Sequence, residues 1–254
     1  MKIASWNVNS LRVRLPHVLN WLEENQPDML ALQETKMTDD QFPLDDIRGA
    51  GYEVTYAGQK TYNGVAIISK QNQQDIVTDV PNLDDPQRRI LAATIDGVRL
   101  LNLYVVNGQE VGSEKYEWKL HWLEKVSDYI ESQLAEYEKF VVVGDFNIAP
   151  EDADTWDPEE WKDRILCSVP EREALQRLLN MGLIDTFRLF DQEPDLFSWW
   201  DYRAAGFRRN RGLRIDLILA NQAMQKSCLA SYIDKAPRQL ERPSDHAPVV
   251  AEFS

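Results

Sequence analysis

Two rhythms of apolar residues alternate along the chain. Residues 2–8 are apolar and rich enough in strand formers to predict a β-strand, which runs into the polar Asn7-Val8-Asn9-Ser10. Over 13–25 the apolar positions Leu15, Val18, Leu19 and Leu22 fall at helical spacing. Pro27 interrupts that pattern, and residues 29–32 read as a short buried strand ending at Gln33-Glu34. Residues 52–56 and 65–69 are strand-like on either side of a turn-rich 58–64. Residues 90–95 and 98–106 flank Asp96-Gly97, a pair that favours a tight hairpin because both positions tolerate positive φ. A helix is predicted over 113–137 with Ser113 as its N-cap, and a strand over 140–143 closed by Gly144-Asp145. A helix over 171–181 stops at Gly182, a residue type suited to a left-handed C-terminal turn; strands follow over 213–220 and 247–253.

Hairpins interrupted by helices predict sheets covered by helices. No linker, repeat or low-complexity block divides the 254 residues, so one domain is expected. The polar, proline-interrupted segment 150–169 is expected to be a surface loop with short helical pieces, long enough to carry function.

Composition narrows the class. The hydrophobic fraction is 43% and the charged fraction 28%, ordinary for a globular chain. No run approaches the ~20 apolar residues of a membrane span. The N-terminus shows neither a long apolar stretch nor a cleavage site, and Cys167 and Cys228 lack zinc-ligand spacing, so free thiols in the cytoplasm are expected, with no membrane partner. The net charge of −14 argues against tight non-specific grip on nucleic acid, which needs Lys and Arg to replace counterions. It leaves room for metal chemistry, which needs acidic ligands. Acidic runs such as Glu151-Asp152-Ala153-Asp154 and Asp157-Pro158-Glu159-Glu160 are expected to face away from substrate.

Polar clusters sit at the ends of predicted strands: Asn7-Val8-Asn9, Gln33-Glu34-Thr35-Lys36, Gly144-Asp145-Phe146-Asn147 and Ser244-Asp245-His246-Ala247-Pro248. A fifth, Arg214-Ile215-Asp216, sets a carboxylate in an apolar run. Each alone has a structural explanation: a cap at Glu34, a turn at Asp145 and Asn147, an ion pair at Asp216, a hydrogen-bonding histidine at His246, strand-end amides at Asn7 and Asn9. Together they supply the parts of phosphodiester hydrolysis. That chemistry needs an electrophilic metal on oxygen ligands, an activated water, and a cation or acid at the phosphoryl oxygens. Glu34 and Asp245 are hard oxygen ligands suited to Mg²⁺. Asp145 and Asn147 lie two apart, so on an extended segment they would share a face, one taking a proton from water while the other orients it. His246 titrates near neutrality, and Asp216 would fix its tautomer.

These stretches resemble the exonuclease III family of DNA-repair nucleases, within the exonuclease–endonuclease–phosphatase superfamily. The likeness is carried by Trp6-Asn7-Val8-Asn9-Ser10-Leu11-Arg12, Leu32-Gln33-Glu34-Thr35-Lys36, Gly58-Gln59-Lys60, Gln87-Arg88-Arg89-Ile90, Gly144-Asp145-Phe146-Asn147-Ile148, Phe197-Ser198-Trp199, Arg214-Ile215-Asp216 and Pro243-Ser244-Asp245-His246-Ala247-Pro248. They run from residue 6 to residue 248 in the family's order.

The resemblance implies an α+β fold of four layers, α/β/β/α, with two face-to-face β-sheets flanked by helices. It implies Mg²⁺ as cofactor, with Mn²⁺ able to replace it, and Glu34, Asp245 and Asn9 as metal ligands. The catalytic set it implies is Asp145, Asn147, His246, Asp216, Tyr104 and Asn7, with Asn107 contacting phosphate. Trp199 and Phe207 would line an abasic-sugar pocket, Arg203 would approach the minor groove, and Gln59, Lys60 and Arg89 would support the backbone. The mixture of aromatics with five arginines over 197–214 suits unstacked bases and phosphates. The implied partner is double-stranded DNA with abasic sites or 3′ ends, met by a monomer. The implied activities are 3′→5′ exonuclease and cleavage 5′ to abasic sites leaving a 3′-hydroxyl. Two departures stand out: Val106 replaces the family's usual proline, and the 150–169 loop is unusually acidic and carries tryptophan. The competing readings are a phosphatase or phospholipase of the same superfamily, and a binding protein that has lost catalysis. The arginine-aromatic segment argues against the first, and the complete catalytic set against the second.

Overall fold

A computed structural model describes residues 1–254. Elements follow in the order β1 (Lys2–Asn7), α1 (Leu11–Asn25), β2 (Met29–Gln33), α2 (Leu44–Gly49), β3 (Glu53–Ala57), β4 (Val65–Ser69), β5 (Gln74–Val77), β6 (Ile90–Ile95), β7 (Val98–Tyr104), α3 (Glu114–Glu136) and β8 (Phe140–Asp145). The second half adds α4 (Pro158–Trp161), α5 (Val169–Asn180), β9 (Ile184–Asp185), β10 (Trp199–Trp200), β11 (Gly212–Leu213), β12 (Asp216–Ala220), α6 (Gln222–Gln225), β13 (Cys228–Ile233) and β14 (Val249–Phe253). They form two mixed six-stranded sheets, ordered β13-β14-β1-β2-β4-β3 and β5-β6-β7-β8-β12-β9, and a small β10-β11 ribbon.

Side-chain alternation on the central strands explains the layers. Ile3, Met29, Ala31, Val65 and Ile67 of the first sheet pack against Leu91, Ala93, Leu100, Val141, Val143 and Ile218 of the second. The opposite face of the first sheet, through Ala4, Trp6, Leu30 and Leu32, is covered by Leu11, Val18, Trp21 and Leu22 of α1 and its start. The opposite face of the second, through Leu101, Leu103, Val142 and Leu217, is covered by Trp122, Leu123, Val126 and Ile130 of α3 and by Leu175 and Leu178 of α5. Strands buried on both faces read as continuous apolar runs, as FVVV of β8 does. The four-layer α/β/β/α expectation is met.

Local signals were sound where backbone chemistry dictated them. Asp96 and Gly97 take φ of 49° and 76°, as the hairpin requires. Ser113 accepts a hydrogen bond from Tyr116 N at 3.2 Å and caps α3. Gly182 takes φ of 102° just past α5. The strand expected over 213–220 instead divides into β11 and β12, because the chain at Arg214 leaves the small ribbon to join the second sheet. Segment 150–169 has one 3₁₀ turn at Asp152–Asp154 and the short α4, as expected. No helix is long and apolar enough to cross a membrane, and both cysteines are free.

Candidate active site

Strand register assembles the site. In the second sheet Tyr104 pairs with Asp145, and Asp145 with Asp216. Three functional side chains therefore stand abreast at one end of three adjacent strands. In the first sheet Asn7 pairs with Gln33, which brings Glu34 beside Asn7. The segment before β14 delivers Asp245 and His246 through a bridge between Trp199 and His246. Gly144 makes the central approach feasible. At φ of 147° a Cβ there would come within 1.8 Å of Leu103 O, so any other residue would push β7 and β8 apart in front of Asp145.

The hydrogen bonds form one connected set. Asn7 Nδ2 donates to Glu34 Oε1 and to Asp145 Oδ2, both at 2.9 Å. Asn147 N donates to Asp145 Oδ1 at 2.9 Å. His246 Nδ1 lies 2.9 Å from Asp216 Oδ2, and its Nε2 faces Asp145 Oδ2 at 3.8 Å. Asn107 Nδ2 donates to Asn147 Oδ1 at 3.0 Å, and Asn147 Nδ2 to Val105 O at 3.0 Å. Glu34, Asp145 and His246 offer ligand atoms within 4.8 Å of one another.

Asp145 and Asn147 do not share an extended face. β8 ends at Asp145, and Asn147 takes φ of 49°, so a turn closed by the Asp145 carboxylate brings the amide round. The two residues meet as expected, but across a turn and not along an extended strand.

Burial sets the electrostatics. Desolvation raises the Asp145 carboxyl to about 7, with Asp216 and Glu34 adding to the rise and His246 and Asn7 opposing it. Burial works to lower His246, but the carboxylates of Asp216 and Asp145 outweigh it and raise the imidazole to about 10, so it does not titrate near neutrality as the sequence suggested. Burial, then Glu34 and Asp145, pushes the Tyr104 phenol well above its usual value. Glu34 goes the other way: burial opposes, yet Lys36 and Asn7 hold its carboxyl low.

Asp245 stands apart from the Glu34 cluster. Its Oδ1 accepts from Asn9 Nδ2 at 2.9 Å and its Oδ2 from Trp199 Nε1 at 3.0 Å, so both oxygens already have partners. Asn9 Oδ1 takes the Lys36 ammonium at 2.5 Å, and the same ammonium lies 2.8 Å from Glu34 Oε2. A hard oxygen set that already attracts one cation fits a divalent metal.

The outer candidates separate into braced and free groups. Arg89 stacks over Tyr104 at 4.6 Å and donates to Gln87 Oε1 at 2.8 Å. Gln59 Oε1 accepts from Arg88 N and Asn63 Nδ2, bracing its loop, while Lys60 is exposed. Trp199 packs beside Leu213 and Ile215. Phe207 belongs to another cluster, edge-on to Trp200 and under Arg238. Of the five arginines, Arg214 is buried between Asp154 and Asp185, Arg203 pairs with Asp201, and Arg211 stacks on Trp156. Arg208 and Arg209 remain exposed.

Two residues at the centre carried no role from the sequence. Lys36 is the cation on Glu34. Ser198 donates to Asp216 Oδ2 at 2.6 Å while accepting the amides of Ile215 and Asp216 at 3.0 Å, fixing the carboxylate behind His246. Both lie inside motifs quoted for the resemblance, which was the signal available. Outside the centre, Tyr62 is 67% exposed on a loop that hydrogen bonds from Thr35 N to Gly64 O and from Lys36 N to Asn63 O fix beside the Glu34 segment.

Comparison with known proteins gives the family. The model of the Endonuclease/Exonuclease/phosphatase family matches residues 4–246. The chain is 39% identical to an exodeoxyribonuclease III of Haemophilus influenzae, covering 100% of both. Among solved structures, a 3′ phosphatase, NExo, from Neisseria bound to a product DNA hairpin is 48% identical with a TM-score of 0.98, covering 100% of this chain and 99% of that one. An AP endonuclease from Archaeoglobus fulgidus is 37% identical with a TM-score of 0.96, covering 100% and 99%. With matches running end to end over a site whose parts come from both sheets, the chain belongs to the Endonuclease/Exonuclease/phosphatase family, among the exodeoxyribonuclease III proteins.

Proposed function

We propose that the chain is a Mg²⁺-dependent DNA-repair phosphodiesterase that removes nucleotides from 3′ ends of duplex DNA and cuts 5′ to abasic sites. The observation that carries this is the Asn7–Asp145–His246–Asp216 array: a buried carboxylate poised near neutral pH, one atom's width from a cationic imidazole. A carboxylate so raised is a competent general base at the working pH.

Asp145 takes a proton from water, whose oxygen attacks phosphorus in line with the leaving O3′. The P–O3′ bond breaks, and the leaving oxygen takes a proton to become the 3′-hydroxyl. Asn147 orients the water. His246 and Asn107 donate to the phosphoryl oxygens as charge grows there. Tyr104, kept protonated by its surroundings, is a further donor. A divalent cation held by Glu34, with Asp145 and His246 close by, would polarise the phosphoryl oxygens; Mn²⁺ would serve in place of Mg²⁺. Asn9 and Asp245, hydrogen-bonded to each other, and Lys36, which bridges Asn9 to Glu34, place two further oxygen donors beside that cluster.

Trp199 beside the bridge to His246 favours an abasic sugar next to the scissile phosphate. Tyr62, Lys60, Arg208 and Arg209 supply exposed groups for the DNA backbone. One chain provides every catalytic group, so the reading needs no second copy, and the cytoplasm is the compartment we assign. The Neisseria relative, named a 3′ phosphatase, favours a second substrate for the same site: a 3′-terminal phosphate, attacked by the same water.

The test uses three labelled duplexes, one with an abasic site, one with a recessed 3′ end and one with a 3′-phosphate, each with Mg²⁺ and with a chelator. Metal-dependent release from any of the DNA substrates supports the reading and gives the balance of activities. Turnover only of inositol phosphates or phospholipids overturns it.

A further inference from the structure

Lys119 on α3 has a fully enclosed side chain and no part in the catalytic array. Its ammonium donates to Asn147 O at 2.7 Å, to Asn107 O at 3.2 Å and to the carboxylate of Glu171. An ammonium has three hydrogens, and each has an acceptor. Two of those acceptors are main-chain oxygens of the residues whose side-chain amides meet in the site. Nothing in the helix requires a charge here: the neighbouring buried positions on α3 are Tyr116, Trp122, Leu123 and Val126, and an apolar side chain would pack without a desolvation cost.

The surroundings are built around this lysine. Gly108 takes φ of 89°, and a Cβ there would come within 3.1 Å of Lys119 Cδ and 3.0 Å of Ile165 Cδ1, so the turn after Asn107 lies directly on the lysine stem. Glu171, also fully buried, accepts Leu166 N at 3.1 Å, Ser168 N at 3.1 Å and Ser168 Oγ at 2.6 Å. It thereby fastens the end of the acidic 150–169 loop, which also reaches back to the catalytic turn through Ala149 N to Leu166 O at 2.8 Å.

We propose that Lys119 is a positioning residue: its ammonium holds the main chain at Asn107 and Asn147, and through Glu171 couples the 150–169 loop to those two amides. This rests on the assignment of Asn107 and Asn147 to phosphate and water. The side chains at 107 and 147 are tied to each other and to Val105 O, and the main chain beneath both is held by the same ammonium. A displacement of about an ångström at such a point costs up to about 10²-fold in rate.

The test compares Lys119→Met with the double variant Lys119→Met/Glu171→Gln, which leaves no unpaired buried charge and keeps an acceptor oxygen for the Leu166 and Ser168 amides. Single-turnover rates and KM are measured on whichever DNA duplex the parent protein cleaves. The side-chain amide signals of Asn107 and Asn147 are followed by ¹H–¹⁵N spectroscopy without substrate. The expected result is a kcat about 10–100-fold lower in both variants, KM within about threefold, a melting temperature in the double variant above that of Lys119→Met, and shifted or broadened amide signals. Parental kcat in the double variant, or unmoved amide signals beside a lowered kcat, overturns the proposal by reducing the pair to a stability element. Failure of the parent protein to cleave DNA would instead strike the proposed function; the amide signals would still decide what Lys119 holds.

Discussion

Nδ1 of His246 lies 2.9 Å from Oδ2 of Asp216, and that carboxylate is itself held by the Ser198 hydroxyl at 2.6 Å. The imidazole is thus fixed from behind, with Nε2 turned toward Asp145. Asp216→Asn removes a negative charge that raises both His246 and Asp145. In the parent protein the rate should climb as Asp145 loses its proton near 7 and decline as the imidazolium loses its own near 10. The variant should lose about 10²-fold in kcat, and both limbs should move to lower pH, the alkaline one further. A rate–pH series on both proteins checks this; an unmoved alkaline limb would separate His246 from it.

Asp145→Asn keeps the shape of the array and removes the base. kcat should fall by about 10²–10⁴-fold, with DNA affinity within about threefold. His246→Gln should lose a comparable amount. Stopped-flow single-turnover rates and fluorescence binding give the two numbers separately, and near-parental turnover by Asp145→Asn would remove the mechanism.

Lys36 occupies the cation-attracting face of Glu34. Lys36→Met should tighten Mg²⁺ binding, by roughly tenfold if about 1.4 kcal/mol of repulsion is relieved. Glu34→Gln should weaken it by more than that. Calorimetric titration without DNA tests both; weaker binding in Lys36→Met would mean that the ammonium organises the ligands rather than competes.

Arg214 is fully buried between Asp154 and Asp185. Arg214→Leu strands two carboxylates and should cost about 3–5 kcal/mol in unfolding free energy. Urea unfolding measures it. A loss under 1 kcal/mol would show that water or Arg188, 2.6 Å from Asp154, replaces the missing partner.

Much of the candidate site was legible in the sequence because its residues sit where strands end. Apolar runs close at Asn7, Gln33 and Asp145, and polar residues just past a buried strand announce themselves. Two edge strands did not: β5 is mostly exposed and β13 half-exposed, so neither carries a strong apolar signal. Asn147 was misplaced because spacing alone assumed extended backbone where Asp and Asn favour a turn. Arg214 read as part of a cationic surface, since its partners at 154 and 185 are distant in the chain and nothing local reveals them. The partners of Asp245, the indole of Trp199 and the amide of Asn9, are likewise distant in the chain and left no local trace.

The array is divided between the sheets: Tyr104, Asp145 and Asp216 end adjacent strands of the second, while Asn7 ends a strand of the first. Neither sheet by itself contains the Asn7–Asp145 hydrogen bond or the His246–Asp216 pair. Loosening of the apolar layer between the sheets therefore separates these partners before either sheet loses its own strands, so amide protection of that layer and integrity of the site are expected to disappear together on mild denaturation.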